Sequence, residues 1–223
     1  MPEDFANSRL PVSQQHQIHP HLLAQVARYA ESRFHKPIQD FNQQAFIQAQ
    51  SAWQAHQGPI ILDSGCGVGV STRLLAQTFP QHFVIGVDRS AARLSRRLGP
   101  LPANACLIRA DLVDFWRLLH IHQWPIARHY VLYPNPYPKA SQLHYRWHAH
   151  PVWPSLLAIS PYLIMRTNWL IYAQEWAAAL AFYRRSAPVQ LLDSQEVARQ
   201  PLTAFERKYQ ASGHPLYQVL VSS

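Results

Sequence analysis

From Pro59 to the C-terminus, short apolar runs rich in β-forming residues alternate with stretches of helical spacing, and this alternation most constrains the fold. The runs are IILD (60–63), FVIGVD (83–88), CLIRAD (106–111), HYVLYP (129–134) and YLIMRTN (162–168). Between them VSTRLLAQTF, SAARLSRRL, LVDFWRLLH and VWPSLLAI carry helical patterns. Strand and helix in strict alternation predict right-handed crossovers and a parallel sheet wound in both directions.

A long apolar helix, WLIYAQEWAAALAFYRR, then precedes VQLLD and PLYQVLVSS, two strands close enough in sequence to pair antiparallel. The expected fold is α/β and Rossmann-like: a mostly parallel, doubly wound, seven-stranded sheet with an antiparallel edge strand. Residues 58–223 form this domain, and 1–57 form a helical extension. Within the extension residues 1–18 are polar and Gln-rich and are expected to be mobile. Apolar positions 22, 23, 26 and 30 give a first helix. FNQQAFIQAQSAWQAH gives a second, with Phe41, Phe46 and Trp53 as docking anchors.

Composition narrows the function. Two cysteines are too few for a disulfide framework, no stretch suits a membrane span, and the N-terminus lacks the pattern of a secretory signal. A cytoplasmic setting is expected. The net charge of +8, carried mostly by Arg, suits a polyanionic partner such as nucleic acid. Arg89, Arg93, Arg96 and Arg97 share one face of the predicted helix after the second strand. His residues in LHYRWHAH have no Cys or acid to complete a ligand set, so no metal is expected.

The first strand leads into DSGCGVG, which places Asp63, Gly65, Gly67 and Gly69 at a strand-to-helix turn where a ligand can meet the backbone. The spacing is neither G-x-G-x-x-G nor that of a nucleotide-triphosphate loop. Asp88 ends the second strand, where a carboxylate can accept from both ribose hydroxyls. Asp111 ends the third and can equally cap the helix that follows. D-x-G-x-G-x-G resembles motif I of the S-adenosylmethionine-dependent methyltransferases. That resemblance implies S-adenosylmethionine as cofactor, with Asp63, Gly65 and Gly67 beside its methionyl part, Asp88 on its ribose and Asp111 near its adenine.

YPNPYPK (133–139) follows the fourth strand and holds three prolines in five positions, which forbid helix and stiffen the loop around Asn135. This loop resembles F-P-D-P-W-P-K of the bacterial-type tRNA (guanine-N7)-methyltransferases. KASQLHYRW, MRTNWLIYAQEWAAAL and PLTAFERKYQASGHPLYQVLV resemble, in order, that family's basic loop, its fifth strand with the following helix, and its T-x-F-E segment with the last strand. The resemblance covers residues 58–221. It implies a tRNA substrate, Asn135 and Asn168 as catalytic positions, and Lys139, Arg146, Thr203 and Glu206 as substrate-binding ones.

The chain departs from the family at the carboxylates, with Asn135 and Asn168 where the family carries Asp. Two alternatives therefore stay open: methylation of another base or a small molecule, and a non-catalytic module that binds RNA or cofactor. Monomer and homodimer stay open as well.

Overall fold

A computed structural model describes residues 7–32, 34–96 and 98–222. Seven strands form one sheet in the order β3-β2-β1-β4-β5-β7-β6: β1 (Ile60–Ser64), β2 (Phe83–Asp88), β3 (Ala105–Arg109), β4 (Ile126–Leu132), β5 (Leu163–Thr167), β6 (Val189–Leu191) and β7 (Tyr217–Val221). The expected α/β fold and mostly parallel sheet are present. Strands β6 and β7 pair antiparallel, with Val189 facing Val219 and Leu191 facing Tyr217. Of the two, β6 holds the edge.

The chain divides into two compact units. One comprises Phe34–Leu132 and Pro154–Leu163 with Ser222–Ser223. In it β1 pairs in parallel with both β2 and β4, and β2 with β3. Every residue of β1 and β2 is buried, which is why these strands read as continuous apolar runs rather than alternating ones. Helix α2 (Asp40–His56) packs on β3 and on α5 (Leu112–Ile121). Its anchors are Phe46, which is buried, and Trp53, whose indole donates to the Gly58 carbonyl at 2.8 Å. Phe41, expected as a third anchor, is half exposed.

Helix α3 (Val70–Thr78) follows the glycine loop, and α4 (Ala91–Leu94) is a single turn. Of the expected arginine face, Arg93 lies on this turn, Arg89 and Arg96 lie outside it, and Arg97 lies outside the described residues. Gly86 on β2 lets α3 come close, because a side-chain carbon there would lie 2.3 Å from Thr72 Oγ1.

The other unit comprises Met1–Arg33, Tyr133–Trp153 and Ile164–Val221. Its centre is α7 (Leu170–Phe182), apolar around most of its circumference and accordingly buried. Helix α1 (Leu22–Ala30) packs on α7 through Leu22 and Val26, with Leu23 turned outward. Two polar helices follow β6, and the apolar pattern gave no sign of them. Helix α8 (Ser194–Arg199) starts at Asp193, whose carboxylate accepts from the Gln195 and Glu196 amides. Helix α9 (Ala204–Ala211) starts at Thr203. Both are set by their caps rather than by an apolar face.

Part of the stretch expected to be mobile, residues 1–6, lies outside the described residues. Further along it, Ser13 Oγ donates to the Pro138 carbonyl at 2.6 Å and Gln15 reaches Glu175 on α7 at 2.6 Å.

Candidate functional site

The glycine loop is tied to the end of β2. The Gly65 and Cys66 amides donate to the Val87 carbonyl at 2.8 and 3.1 Å, and the Gly67 amide donates to Asp88 Oδ2 at 3.0 Å. Gly65 and Gly67 hold φ of +80° and +60°, and a side-chain carbon built on either would meet nothing within 4 Å. Positive φ favours glycine, and the space beside it is open to a ligand. The Asp88 carboxylate also accepts from the Ser90 amide at 2.7 Å and lies 3.4 Å from Arg93. A carboxylate offers about four lone-pair sites, so these three contacts leave about one for a further donor such as a ribose hydroxyl.

Asp63 lies behind the loop, buried, with its Oδ2 accepting from Ser71 at 2.6 Å and Thr72 at 2.7 Å. Burial pushes its carboxyl up to about 6, against the pull of those two hydroxyls. Asp63 therefore links β1 to α3 and fixes where the loop turns. Asp111 caps α5: its Oδ1 accepts from the Val113 amide at 2.9 Å. Its own amide donates to Asn42 at 2.8 Å, and Asn42 in turn donates to Asp114 at 2.7 Å. Asn42 is a fully buried amide on α2 that sequence reasoning passed over. A polar residue on the inward face of an amphipathic helix is the sign that would have found it.

Cys66, beside Asp63 and Asp88, has its thiol pushed far up by burial, and burial pushes that of Cys106 up to about 12. Neither supplies a thiolate nucleophile. Among the described residues no group of three or more His, Cys, Asp or Glu is placed to hold a metal ion, and no helix is long and apolar enough to cross a membrane.

In the other unit, the YPNPYPK loop is held at both ends. Tyr133 and Tyr137 take φ of +51° and +46°, a region costly for bulky side chains. Tyr133 is secured by its amide, which donates to the Arg166 carbonyl at 2.8 Å, and by its hydroxyl, which donates to Glu206 at 2.7 Å. Burial and the Glu206 charge push that phenol well above its ordinary range. At the other end the Arg146 guanidinium donates to the Tyr137 carbonyl at 3.1 and 3.2 Å and to the Lys139 carbonyl at 3.4 Å. The guanidinium clamp adds to the backbone restriction that the three prolines impose on the loop. Asn135 stands exposed at its middle, its Oδ1 3.4 Å from the Tyr137 amide.

Two residues expected to contact substrate, Arg146 and Glu206, are buried. Arg146 is fully buried, paired with Glu175 at 2.6 Å, bonded to Gln15 at 3.0 Å and stacked over Trp169, so no charge on it faces a phosphate. Glu206 is fully buried too, accepting from Tyr133, from Arg166 at 2.9 Å and from the Leu202 amide. Thr203 caps α9 by accepting from the Glu206 amide at 2.9 Å. All three are engaged in hydrogen bonds within this unit. Lys139 remains exposed, as do His144 and Tyr145, whose rings lie 3.9 Å apart, with Tyr137 5.3 Å from Tyr145.

Asn168, at the end of β5, is buried, and its amide nitrogen lies 3.1 Å from His214 Nδ1. The structure thus groups Asp63, Gly65, Gly67 and Asp88 in one unit, with Asp111 at the next strand end. Asn135, Asn168, Thr203 and Glu206 lie in the other unit.

A family model described as "Putative methyltransferase" matches residues 57–219. A tRNA (guanine-N(7)-)-methyltransferase from Treponema pallidum (strain Nichols) is 27% identical over 168 residues, covering 72% of this chain and 66% of that protein. One of the same description from Mycobacterium bovis (strain BCG / Pasteur 1173P2) is 31% identical over 183 residues, covering 76% and 68%. The chain thus spans about two thirds of the length of these relatives. Among solved structures, an antibiotic-related methyltransferase superposes with a TM-score of 0.59 at 16% identity, over 80% of this chain and 94% of that one. The 16S rRNA methyltransferase KamB superposes with a TM-score of 0.56 at 19% identity, over 84% and 97%. At such identity these two structures speak for the fold.

Proposed function

The chain belongs to the methyltransferase family whose model it matches, and from that premise we propose that it transfers a methyl group from S-adenosylmethionine to guanine N7 in tRNA. The observation that carries the reading is the open, positive-φ backbone at Gly65 and Gly67, with the Asp88 carboxylate hydrogen-bonded to its rim. These residues fit the cofactor. The loop backbone would lie against its methionyl part, and Asp88 would accept from its ribose. Asp63 would hold the loop from behind, and Asp111 would offer the adenine the oxygen its helix cap does not use. Bound there, the cofactor supplies an electrophilic methyl group on a sulfonium sulfur.

The rest of the chemistry asks little of the chain beyond placement. Guanine N7 carries an in-plane lone pair and no proton, so no residue has to act as general base. The amide oxygens of Asn135 and Asn168 would accept from N1–H and the 2-amino group and hold the ring in line. Their dipoles would offset the positive charge that builds on the ring, less strongly than carboxylates. Arg146 and Glu206 would act at one remove, by holding the loop that carries Asn135. Exposed Lys139, His144 and Tyr145 would meet RNA by charge and by stacking, within a protein of net charge +8. A tRNA substrate would fit a cytoplasmic setting. The exposed Asn135 amide, a donor as well as an acceptor, favours a second reading with the same cofactor and an acceptor of different edge pattern.

Titration calorimetry with S-adenosylmethionine or its demethylated product tests the cofactor half. Micromolar-range binding is expected, and Asp88→Ala weakens it by about 1–3 kcal/mol, roughly 5- to 150-fold. No heat with either ligand on folded protein would remove the methyltransferase reading.

A further inference from the structure

His214 lies in the turn between α9 and β7, and its ring joins two polar groups of fixed character. Nε2 is 3.2 Å from the Ser8 carbonyl oxygen, and Nδ1 is 3.1 Å from the Asn168 amide nitrogen. A carbonyl oxygen can only accept, so Nε2 carries the ring proton. An amide NH₂ can only donate, so Nδ1 is the bare acceptor. The ring is held flat against Tyr209, with centroids 5.4 Å apart and planes 13° from parallel. Ser8 is itself fixed, its amide donating to Ser212 Oγ at 3.1 Å. Every contact therefore points to one tautomer in one orientation.

This arrangement bears on a difficulty peculiar to the sequence. A carboxylate presents two equivalent oxygens, so it cannot be the wrong way round. A neutral amide can, because a half-turn exchanges its acceptor for a donor. The guanine edge offers two neighbouring donors, and only the carbonyl side of Asn168 matches it. With Nδ2 committed to His214, the carbonyl oxygen is the side left for a ligand.

We propose that His214 is a positioning residue that, with its proton held on Nε2 by the Ser8 carbonyl, locks the Asn168 amide carbonyl-outward and so lets a neutral side chain read the donor edge of the acceptor base. This rests on the guanine reading above for the identity of the ligand, though not for the amide's orientation. It makes residue 214 a determinant of acceptor specificity, acting through residue 168. The N-terminal segment becomes part of the acceptor site through Ser8.

The test is a double-mutant cycle on tRNA methylation, with His214→Phe keeping an aromatic ring against Tyr209 while removing both nitrogens. In the wild-type background His214→Phe lowers kcat/KM for tRNA about tenfold or more, with cofactor affinity unchanged. In an Asn168→Asp background the same replacement costs less than about twofold, because a carboxylate needs no orienting. His214→Asn, whose Oδ1 can stand where Nδ1 stood, keeps most of the wild-type rate. Equal losses in both backgrounds would mean a merely structural histidine and would overturn the proposal.

A second readout needs no turnover. Long-range ¹⁵N–¹H correlation on the ring of His214 should find the Nε2–H tautomer, and the Nδ1–H tautomer overturns the proposal whatever the activity. The Nε2–H tautomer supports the amide's orientation even in a protein that fails to methylate guanine, a failure that would remove the functional reading alone.

Discussion

Replacing Glu175 with alanine should destabilise the protein by about 3–5 kcal/mol, the cost of leaving a buried charge without its partner. Glu175 is fully buried in α7, and each of its oxygens accepts two bonds. Oε2 takes Arg146 at 2.6 Å and His148 at 2.9 Å, while Oε1 takes Gln15 at 2.6 Å and the His19 amide at 2.9 Å. Without the carboxylate, the fully buried Arg146 guanidinium loses the counter-charge of Glu175, and four donors lose their acceptor. Thermal or urea unfolding measures the loss, and a loss under about 1 kcal/mol would contradict the account. Arg146→Met combined with Glu175→Leu removes charge and counter-charge together and should cost far less stability. It should still lower methyl transfer, because the carbonyls of Tyr137 and Lys139 lose their clamp.

The same cluster shapes the response to acid. Burial alone would push the Glu175 carboxyl up, but the hydrogen bond and charge of His148, with those of Arg146, outweigh it and hold the carboxyl down near 2. Its stabilisation is therefore complete above its ordinary value of 4.5 and is lost as pH falls toward about 2. Burial holds His148 below its ordinary 6.5, and it holds His129, on β4 and 2.8 Å from Ser64, down to about 3. For both, the unfolded chain takes up a proton before the folded one does. Stability should thus begin to fall below pH 6.5, by up to about 1.4 kcal/mol per pH unit for each group, with Glu175 adding its share below 4.5.

Glu206→Ala should cut methyl transfer about 100-fold or more while leaving cofactor affinity within about twofold. The carboxylate joins three pieces of one unit: Tyr133 at the start of the Asn135 loop, Arg166 on β5, and the Leu202 amide before α9. Tyr133 sits at a φ of +51° and is kept there by contacts, so losing its acceptor lets the loop relax. Misplacement of a reacting group by about 1 Å can cost 100-fold in rate. The residues proposed to hold the cofactor lie in the other unit. Tyr133→Phe, which removes one hydrogen bond, should show the same effect at about 5- to 10-fold. Methylation rate and calorimetry on the same preparations decide the matter: equal loss of cofactor binding and turnover would mean that Glu206 supports the whole fold instead.

Much of the fold was legible because its signals are local. A strand buried on both sides must be an apolar run, and a glycine loop between strand and helix must carry positive φ, so β1 to β5 and Gly65 and Gly67 stand where the sequence puts them. Helices α8 and α9 were not legible from apolar spacing, since one cap residue starts each and little apolar surface continues it. The burial of residues around the Asn135 loop was illegible for a different reason. Arg146 reads as a surface cation because basic residues mostly are, and its partner Glu175 lies 29 positions away. One sign was present: a lone carboxylate within the apolar stretch WLIYAQEWAAALAF demands a buried donor. Gln15 and Ser8 carried no such sign, because a polar N-terminal segment looks the same whether it is free or docked.

The proposed methyl transfer to guanine N7 is open to a direct assay. Tested most directly, the protein is incubated with S-adenosylmethionine and tRNA lacking modifications, and the digested nucleosides are quantified by mass spectrometry. The account predicts 7-methylguanosine that accumulates with time and enzyme and disappears in Gly67→Val, whose side chain would fill the open backbone face. A different methylated nucleoside would move the acceptor elsewhere on RNA. No methylated nucleoside at all, from folded protein that binds the cofactor, would contradict the claim outright.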